Sequence, residues 1–210
     1  SAVKKALDIN DKPLDVLVVT ETWLREDGDD AVSRDMTPAG YSFLHRPRSS
    51  GQAGGGIALI HRKAITVKLC NVQSFSSFEN LQFVISHGRH TVRSVALYRP
   101  PPSAANQLTD STFHEEFGSF VSSATNKNLL ILGDFNFHWD NPHNTHTRSL
   151  MQLFDSANLT QHVDEPTHRQ GHILDWVVSR SDKDVFVQSL SVEDLYMSDH
   201  FLVLFETNMC

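Results

Sequence analysis

The sequence predicts an α/β domain made of two packed mixed β-sheets with helices on the outside. Two observations carry this. Strand-like apolar runs, several of them nearly continuous, are bounded by turn residues and outnumber the helical patterns. The few helices are separated by several strands instead of alternating with them one for one, which excludes a simple doubly wound parallel sheet. At 210 residues, with no Gly/Ser-rich or charged linker, residues 1–210 read as a single domain large enough to bury a two-layer core.

The elements follow in order. Residues 3–9 read as a short helix ended by Asn10-Asp11-Lys12-Pro13, and Leu14–Thr20 as a strand buried on both faces. A polar, acidic loop runs on through Asp35. Tyr41–His45, Gly56–His61 and Ile65–Leu69 read as consecutive strands, and the Gly54-Gly55-Gly56 triplet permits a tight turn or close packing. Leu81–Ser86 and Thr91–Tyr98 form a hairpin, stopped by Pro100-Pro101-Pro102. Thr112 with Glu115 resembles a capping box; Phe113, Phe117, Phe120, Val121 and Ala124 then recur at helical spacing as core residues. Leu129–Gly133 is a second buried strand, and Leu150, Met151, Leu153, Phe154 and Ala157 mark another helix. Strands near Ile173–Ser179, Val185–Leu190 and Phe201–Phe205 complete the chain.

Composition is ordinary for a globular protein, at 40% hydrophobic and 20% charged residues. There is no run of eighteen apolar residues and no signal-peptide pattern, so nothing indicates a membrane span or secretion. Cys70 and Cys210 make neither a disulfide framework nor a zinc site, which favours a reducing compartment. The net charge of −7 is unevenly spread: Arg46–Arg99 holds eight basic residues and one acid, leaving −14 on the rest. That segment is either a solvated basic face or a one-sided strip for polyanion contact, and charge alone does not choose.

Five strings place polar groups where strands end: Thr20-Glu21-Thr22-Trp23, Leu97-Tyr98-Arg99-Pro100, Gly133-Asp134-Phe135-Asn136, Leu174-Asp175-Trp176 and Ser198-Asp199-His200. Groups presented from several strand ends can converge on one pocket. Acids, amides, a phenol and an Asp-His pair suit metal-assisted attack on a phosphate ester. Glu21, just after a buried strand, can hold a hard cation such as Mg²⁺. Alternation sends Asp134 and Asn136 one way and Phe135 into the core. Asp175, inside a strand, needs a partner, and pairing with His200 would fix the imidazole for activating water or stabilising charge on phosphorus. Tyr98 and Thr167 can each hydrogen-bond a phosphate oxygen. His138, His143 and His146 match no tetrahedral signature; their loop is expected near the site, with Trp139 stacking on a base.

With these residues laid out, the chain resembles the endonuclease/exonuclease/phosphatase superfamily, and more narrowly the apurinic-type endonuclease domain of LINE-type (non-LTR) retrotransposon proteins. The wording that carries the resemblance runs almost end to end: LDVLVVTETWL from Leu14, GGGIAL from Gly54, LYRPP from Leu97, LLILGDFN from Leu129, EPTHRQGHILDWVV from Glu165 and SDHFLV from Ser198. The resemblance implies a four-layer α/β/β/α sandwich and Mg²⁺-dependent cleavage of a DNA phosphodiester, with Mn²⁺ as a substitute. It implies metal binding by Glu21, with Asp199 an acid near the metal, and phosphate contacts from Tyr98, Asn136 and Thr167. It further implies proton transfer by Asp134 and a dyad of Asp175 and His200. The nick would leave a 3′-hydroxyl on double-stranded nuclear DNA, extended by a reverse transcriptase domain on the same polypeptide.

Two departures from that family stand out. Its members open with a strand carrying an active-site Asn, whereas Ser1-Ala2-Val3-Lys4-Lys5 reads as the start of a helix, so the first strand is expected to be missing and the chain N-terminally truncated. Only His168–Leu174 separates Thr167 from Asp175, where the family carries a variable hairpin, so site preference is expected to be weak or shape-based. Alternatives within the superfamily are a phosphoinositide phosphatase and a lipid phosphodiesterase. A non-cutting DNA-binding remnant is the alternative of another class.

Overall fold

The computed structural model describes residues 2–7, 13–25, 30–48, 54–70, 73–125, 128–180 and 185–209. Four helices and eleven strands occur among them, and the expected Asn10–Lys12 stop and Cys210 lie outside the described residues. The larger layer is a six-stranded mixed sheet. Its strands are β4 (Thr66–Leu69), β5 (Glu79–His87), β6 (His90–Tyr98), β7 (Leu129–Asp134), β8 (Leu159–Gln161) and β9 (Asp175–Arg180), in spatial order β4-β5-β6-β7-β9-β8. Only β6 and β7 run parallel, and the helix α3 (Asp110–Ser123) lies in the crossover between them. The facing layer is in two pieces, both antiparallel. One has the order β1-β3-β2, from β1 (Val16–Thr20), β2 (Tyr41–Arg46) and β3 (Ile57–Arg62); the other pairs β10 (Val185–Glu193) with β11 (Leu202–Met209).

Alternation along each strand builds the layers. Ile57 and Leu59 of β3 turn inward against Leu81, Phe83 and Ala96 of the large sheet, while Ile60 turns outward onto Val3, Ala6 and Leu7 of α1 (Ala2–Leu7). On the opposite flank, Phe113, Phe117, Phe120 and Val121 of α3 and Leu150 and Phe154 of α4 (Thr145–Ser156) cover the large sheet in one continuous aromatic core. The result is the expected arrangement of two packed sheets between outer helices.

Three local expectations change. The acidic segment read as loop through Asp35 contains α2 (Asp30–Met36), a polar helix of about two turns without the apolar period that marks a helix in sequence. Thr112 lies inside α3; the cap is Thr109, whose hydroxyl accepts from the Thr112 amide. Asp175 opens β9 instead of lying within it, because Ile173 and Leu174 belong to the preceding loop.

A cavity of about 1430 Å³ lies between the two pieces of the facing layer. It touches every residue from Pro13 to Glu21 and every residue from Met197 to Thr207. Successive residues of a strand face opposite sides, so a space bordered by all of them runs along the strand's edge. β1 and β11 thus form two walls of the cavity, each by an edge that pairs with no other strand among the described residues. The inner face of the large sheet, at Leu130, Leu132 and Val177, is its floor.

Candidate active site

Strand register sets the first three groups. Tyr98 lies opposite Asp134 in the parallel β6–β7 pair, and Asp134 lies opposite Asp175 in the β7–β9 pair. Neighbouring strands are roughly 4.8 Å apart, so these residues form a short row at one end of the sheet. Glu21 reaches the row from the end of β1, where its exposed carboxylate accepts a hydrogen bond from the buried Tyr98 hydroxyl. Burial, and then the Glu21 carboxylate, raise the Tyr98 pKa, which keeps the phenol a proton donor. The turn that carries Glu21 is held by the glycine triplet: the Thr22 and Trp23 amides donate to the Gly56 and Gly55 carbonyls at 3.2 and 2.9 Å. A Cβ on Gly55 would come within 2.4 Å of both Arg48 and Glu79, so close packing is what the triplet provides.

Asp134 is buried, at 3% exposure. Its two carboxylate oxygens accept from the Asn136 backbone amide at 2.9 Å and from the Asn136 side-chain amide at 2.8 Å. Phe135 between them is fully buried against Trp176, as alternation requires. Asn136 itself is in the left-handed region, at φ 48°, and its other amide hydrogen goes to the Arg99 carbonyl at 2.8 Å. Both side-chain hydrogens are therefore engaged, and in this arrangement Asn136 orients Asp134 instead of offering a free donor to phosphate. Burial first, then the Asp175 charge, push the Asp134 carboxyl up to about 7, against the opposing pull of His200 and the Asn136 amide.

His200 donates from Nδ1 to Asp175 Oδ2 at 2.8 Å, which leaves Nε2 as its other ring nitrogen. Burial works against its charged form, yet Asp175 outweighs this and raises the pKa to about 9. Thr167 does not reach the cavity. It is fully buried, and its hydroxyl accepts from the Leu174 and Asp175 amides, both at 3.0 Å, so it fixes the start of β9 and not a phosphate. Asp199 is exposed and lies 3.3 Å from His168 Nε2.

His168 is a site residue that the sequence did not single out. Its Nδ1 accepts from the Gln170 amide at 3.2 Å, so in the neutral ring the proton sits on Nε2, facing Asp199. A β-bridge to His200 and a hydrogen bond from the Arg169 amide to the Asp199 carbonyl clamp this turn to the Asp199-His200 segment. Arg99 was also missed, reading only as one charge of the basic segment. It is 1% exposed, pairs with Asp110 at 2.5 Å and donates to the Asn136 carbonyl at 3.1 Å.

Other expectations change too. Trp139 packs on Phe154 and Trp176 with ring centroids 5.1 and 4.9 Å apart, so it belongs to the core and not to a base-stacking surface. Of the loop histidines, His138 lies against His172 and borders the cavity, so that part of the loop is near the site, while His146 lies near His114 and Asp110. Within the Arg46–Arg99 segment, Arg48 pairs with Glu79, Arg62 with Asp15, Arg93 with Gln82 and Arg99 with Asp110, so these four of its eight basic residues are engaged within the chain. Among the described residues, potential metal donors gather in two overlapping sets, Asp134-Asp175-His200 and His168-Asp199-His200, each within 4.8 Å; Glu21 stands outside both but borders the same cavity.

An α/β sandwich that brings acids, a carboxamide and a histidine from separate strand ends into one cavity defines the endonuclease/exonuclease/phosphatase class of hydrolases. A family model described as endonuclease–reverse transcriptase matches residues 92–204. The match spans more than half of the chain and includes Tyr98, Asp134, Asn136, Asp175, Asp199 and His200; the chain belongs to this family and is an endonuclease of that superfamily. Solved structures share the fold at low identity. The endonuclease domain of TRAS1, a telomere-specific non-LTR retrotransposon, is 15% identical with a TM-score of 0.71, covering 99% of this chain and 90% of that one. An AP endonuclease from Leishmania major is 15% identical with a TM-score of 0.68, covering 100% and 82%. A mannosyl-6-phosphatase from Bacteroides thetaiotaomicron is 13% identical with a TM-score of 0.61, covering 92% and 85%. No curated protein matches the sequence.

Proposed function

We propose that the chain nicks one strand of double-stranded DNA in a reaction that depends on Mg²⁺ or Mn²⁺. The 3′-hydroxyl released would prime a reverse transcriptase domain on the same polypeptide, acting on nuclear DNA. The observation that supports this best is the meeting of Asp134, Asp175 and His200 on a cavity that also receives Glu21 and Asp199.

Each group then has a role. Asp134, whose burial raises its carboxyl toward proton acceptance near neutrality, takes the proton from the attacking water, and Asn136 holds its carboxylate for that task. His200 is cationic at neutral pH, so it stabilises charge on the phosphate oxygens more readily than it accepts a proton. Asp175 fixes the ring and sustains its charge. Tyr98 holds the Glu21 carboxylate in place. Glu21 and Asp199 offer oxygen donors of the kind Mg²⁺ prefers, and these two would hold the ion. His168 does not fit as a ligand through Nε2, which carries its proton toward Asp199. When bound, the ion supplies neutralising charge at the phosphate.

Supercoiled plasmid incubated with Mg²⁺, with Mn²⁺ and with chelator tests the reading. Open circles should form only with metal, and their nicks should prime a DNA polymerase. Intact plasmid under every metal condition, or release of phosphate from phosphoinositides in its place, would overturn it.

A further inference from the structure

Among the described residues, five large apolar side chains are exposed, and three of them stand beside site acids in sequence: Trp23, two positions after Glu21, and Tyr196 and Met197, just before Asp199. Their exposures are 64%, 81% and 42%. Trp23 lies in the turn after β1 and the other two in the connection from β10 to β11, where Met197 borders the cavity itself.

Both aromatic residues sit on backbone that side chains of their size seldom adopt, at φ 57° in each case. Each strained turn is pinned. The Trp23 amide donates to the Gly55 carbonyl at 2.9 Å, and a Cβ on Gly54 would meet the indole at 3.5 Å, so one part of the ring rests on a glycine. The Tyr196 amide donates to Asp194 Oδ1 at 2.7 Å, and the same oxygen lies 3.6 Å from the Arg169 guanidinium. Strain of this kind persists where surroundings over-determine it, and it clusters at ligand clamps. Nothing in core packing calls for an exposed indole, an exposed phenol and a thioether so close in sequence to Glu21 and Asp199.

We propose that Trp23 and the Tyr196–Met197 pair grip the bases on either side of the scissile phosphate, the aromatic rings by stacking and Met197 as a wedge in a base step. The proposal rests on the endonuclease reading above and specifies its substrate: a DNA strand loosened at the cleavage step by a bulge, mismatch or flexible step. Stacking needs an open base face, which an intact duplex hides, and every base has such a face, so recognition is tolerant of sequence.

Two measurements on the whole chain test this. The first titrates a bulged duplex carrying 2-aminopurine at the bulge, in chelator, where no turnover is needed. Trp23→Ala and the Tyr196→Ala/Met197→Ala pair should each weaken binding about five- to fifty-fold, while Trp23→Phe and Tyr196→Phe retain most of it. The second measures nicking: KM should rise by a similar factor with kcat and melting temperature unchanged, and bulged DNA should lose its advantage over perfect duplex. Unaltered affinity and KM in the alanine variants would overturn the proposal and assign these side chains to a protein contact. If the wild-type chain binds but never nicks, the endonuclease reading fails while the binding titration still judges the grip.

Discussion

In the six-stranded sheet, Tyr98, Asp134 and Asp175 stand in register on three neighbouring strands; in the facing layer, Glu21 and His200 lie beside strands whose cavity-facing edges pair with no other strand among the described residues. The first group is positioned by ladder hydrogen bonds and by a core that includes Phe135 and Trp176. The second is positioned by turns, the Glu21 turn by backbone bonds to Gly55 and Gly56 and the His200 segment by its bridge to His168, and each group then touches the sheet through one side-chain bond, Glu21 with Tyr98 and His200 with Asp175. The contrast shows how one site can be assembled from a rigid half fixed by strand register and a half fixed by turns. Those two side-chain bonds join the halves at the chemistry, and the cavity runs along strand edges that pair with no other strand among the described residues.

The largest expected effects come from removing one group on each side of that seam. Asp134→Ala and His200→Ala should each lower the nicking rate by roughly a thousandfold or more, with circular dichroism close to wild type. If the two halves act as one unit, the double variant should lose little beyond either single one. A plasmid assay on all three proteins measures this, and wild-type rates in either single variant would refute the site.

How much of this was legible in sequence follows the same division. Apolar runs that end in a polar residue mark the register-fixed groups, because the strand and the group it presents are consecutive in the chain. Asp134, Phe135 and Asn136 could be read that way even though Asn136 proves left-handed. Side chains whose role depends on what packs over them were not legible. Thr167 and Trp139 look like solvent-facing loop residues until the loop from Phe137 to Asp140 is stitched to His172 and Ile173 by the Trp139 amide and the Asp140 carboxylate. Arg99 reads as one charge in a basic segment, since only the fold brings Asp110 and the Phe137 ring to it. His168 had a faint signal, lying next to Thr167 in a quoted string, but its link to Asp199 is tertiary.

Arg99 tests the rigid half directly. Arg99→Met keeps the volume but leaves Asp110 with only the more distant His146 and the Asn136 carbonyl without its donor. Breaking a buried ion pair from one side costs about 3–5 kcal/mol. For a chain of this size that lowers the melting temperature by on the order of 10 °C, readable by calorimetry. A shift no larger than that of an exposed-lysine control such as Lys63→Met would mean that the register alone, without this brace, fixes the Asp134–Asn136 turn.

The smallest effect lies farther from the site, at Glu116. This α3 carboxylate gathers the Ser76 and Ser77 amides at 2.8–3.0 Å and both serine hydroxyls, tying the approach to β5 onto the helix. Its burial, which favours the neutral form, is outweighed by these donors, so its folded pKa is lowered. A carboxylate with a depressed folded pKa adds stability above its unfolded value near 4.5, and that stability is lost as pH falls through the folded value. Glu116→Gln should therefore destabilise the chain at neutral pH by about 1 kcal/mol, a modest figure because the amide oxygen still accepts from part of the same donor set. The melting-temperature gap between variant and wild type should close as pH falls through and below 4.5, with nicking at neutral pH unchanged. A gap that persists in acid would show that geometry at Ser76 and Ser77, and not charge, sets the anchor; a loss of nicking would show that the rigid half transmits even this distant change to Asp134.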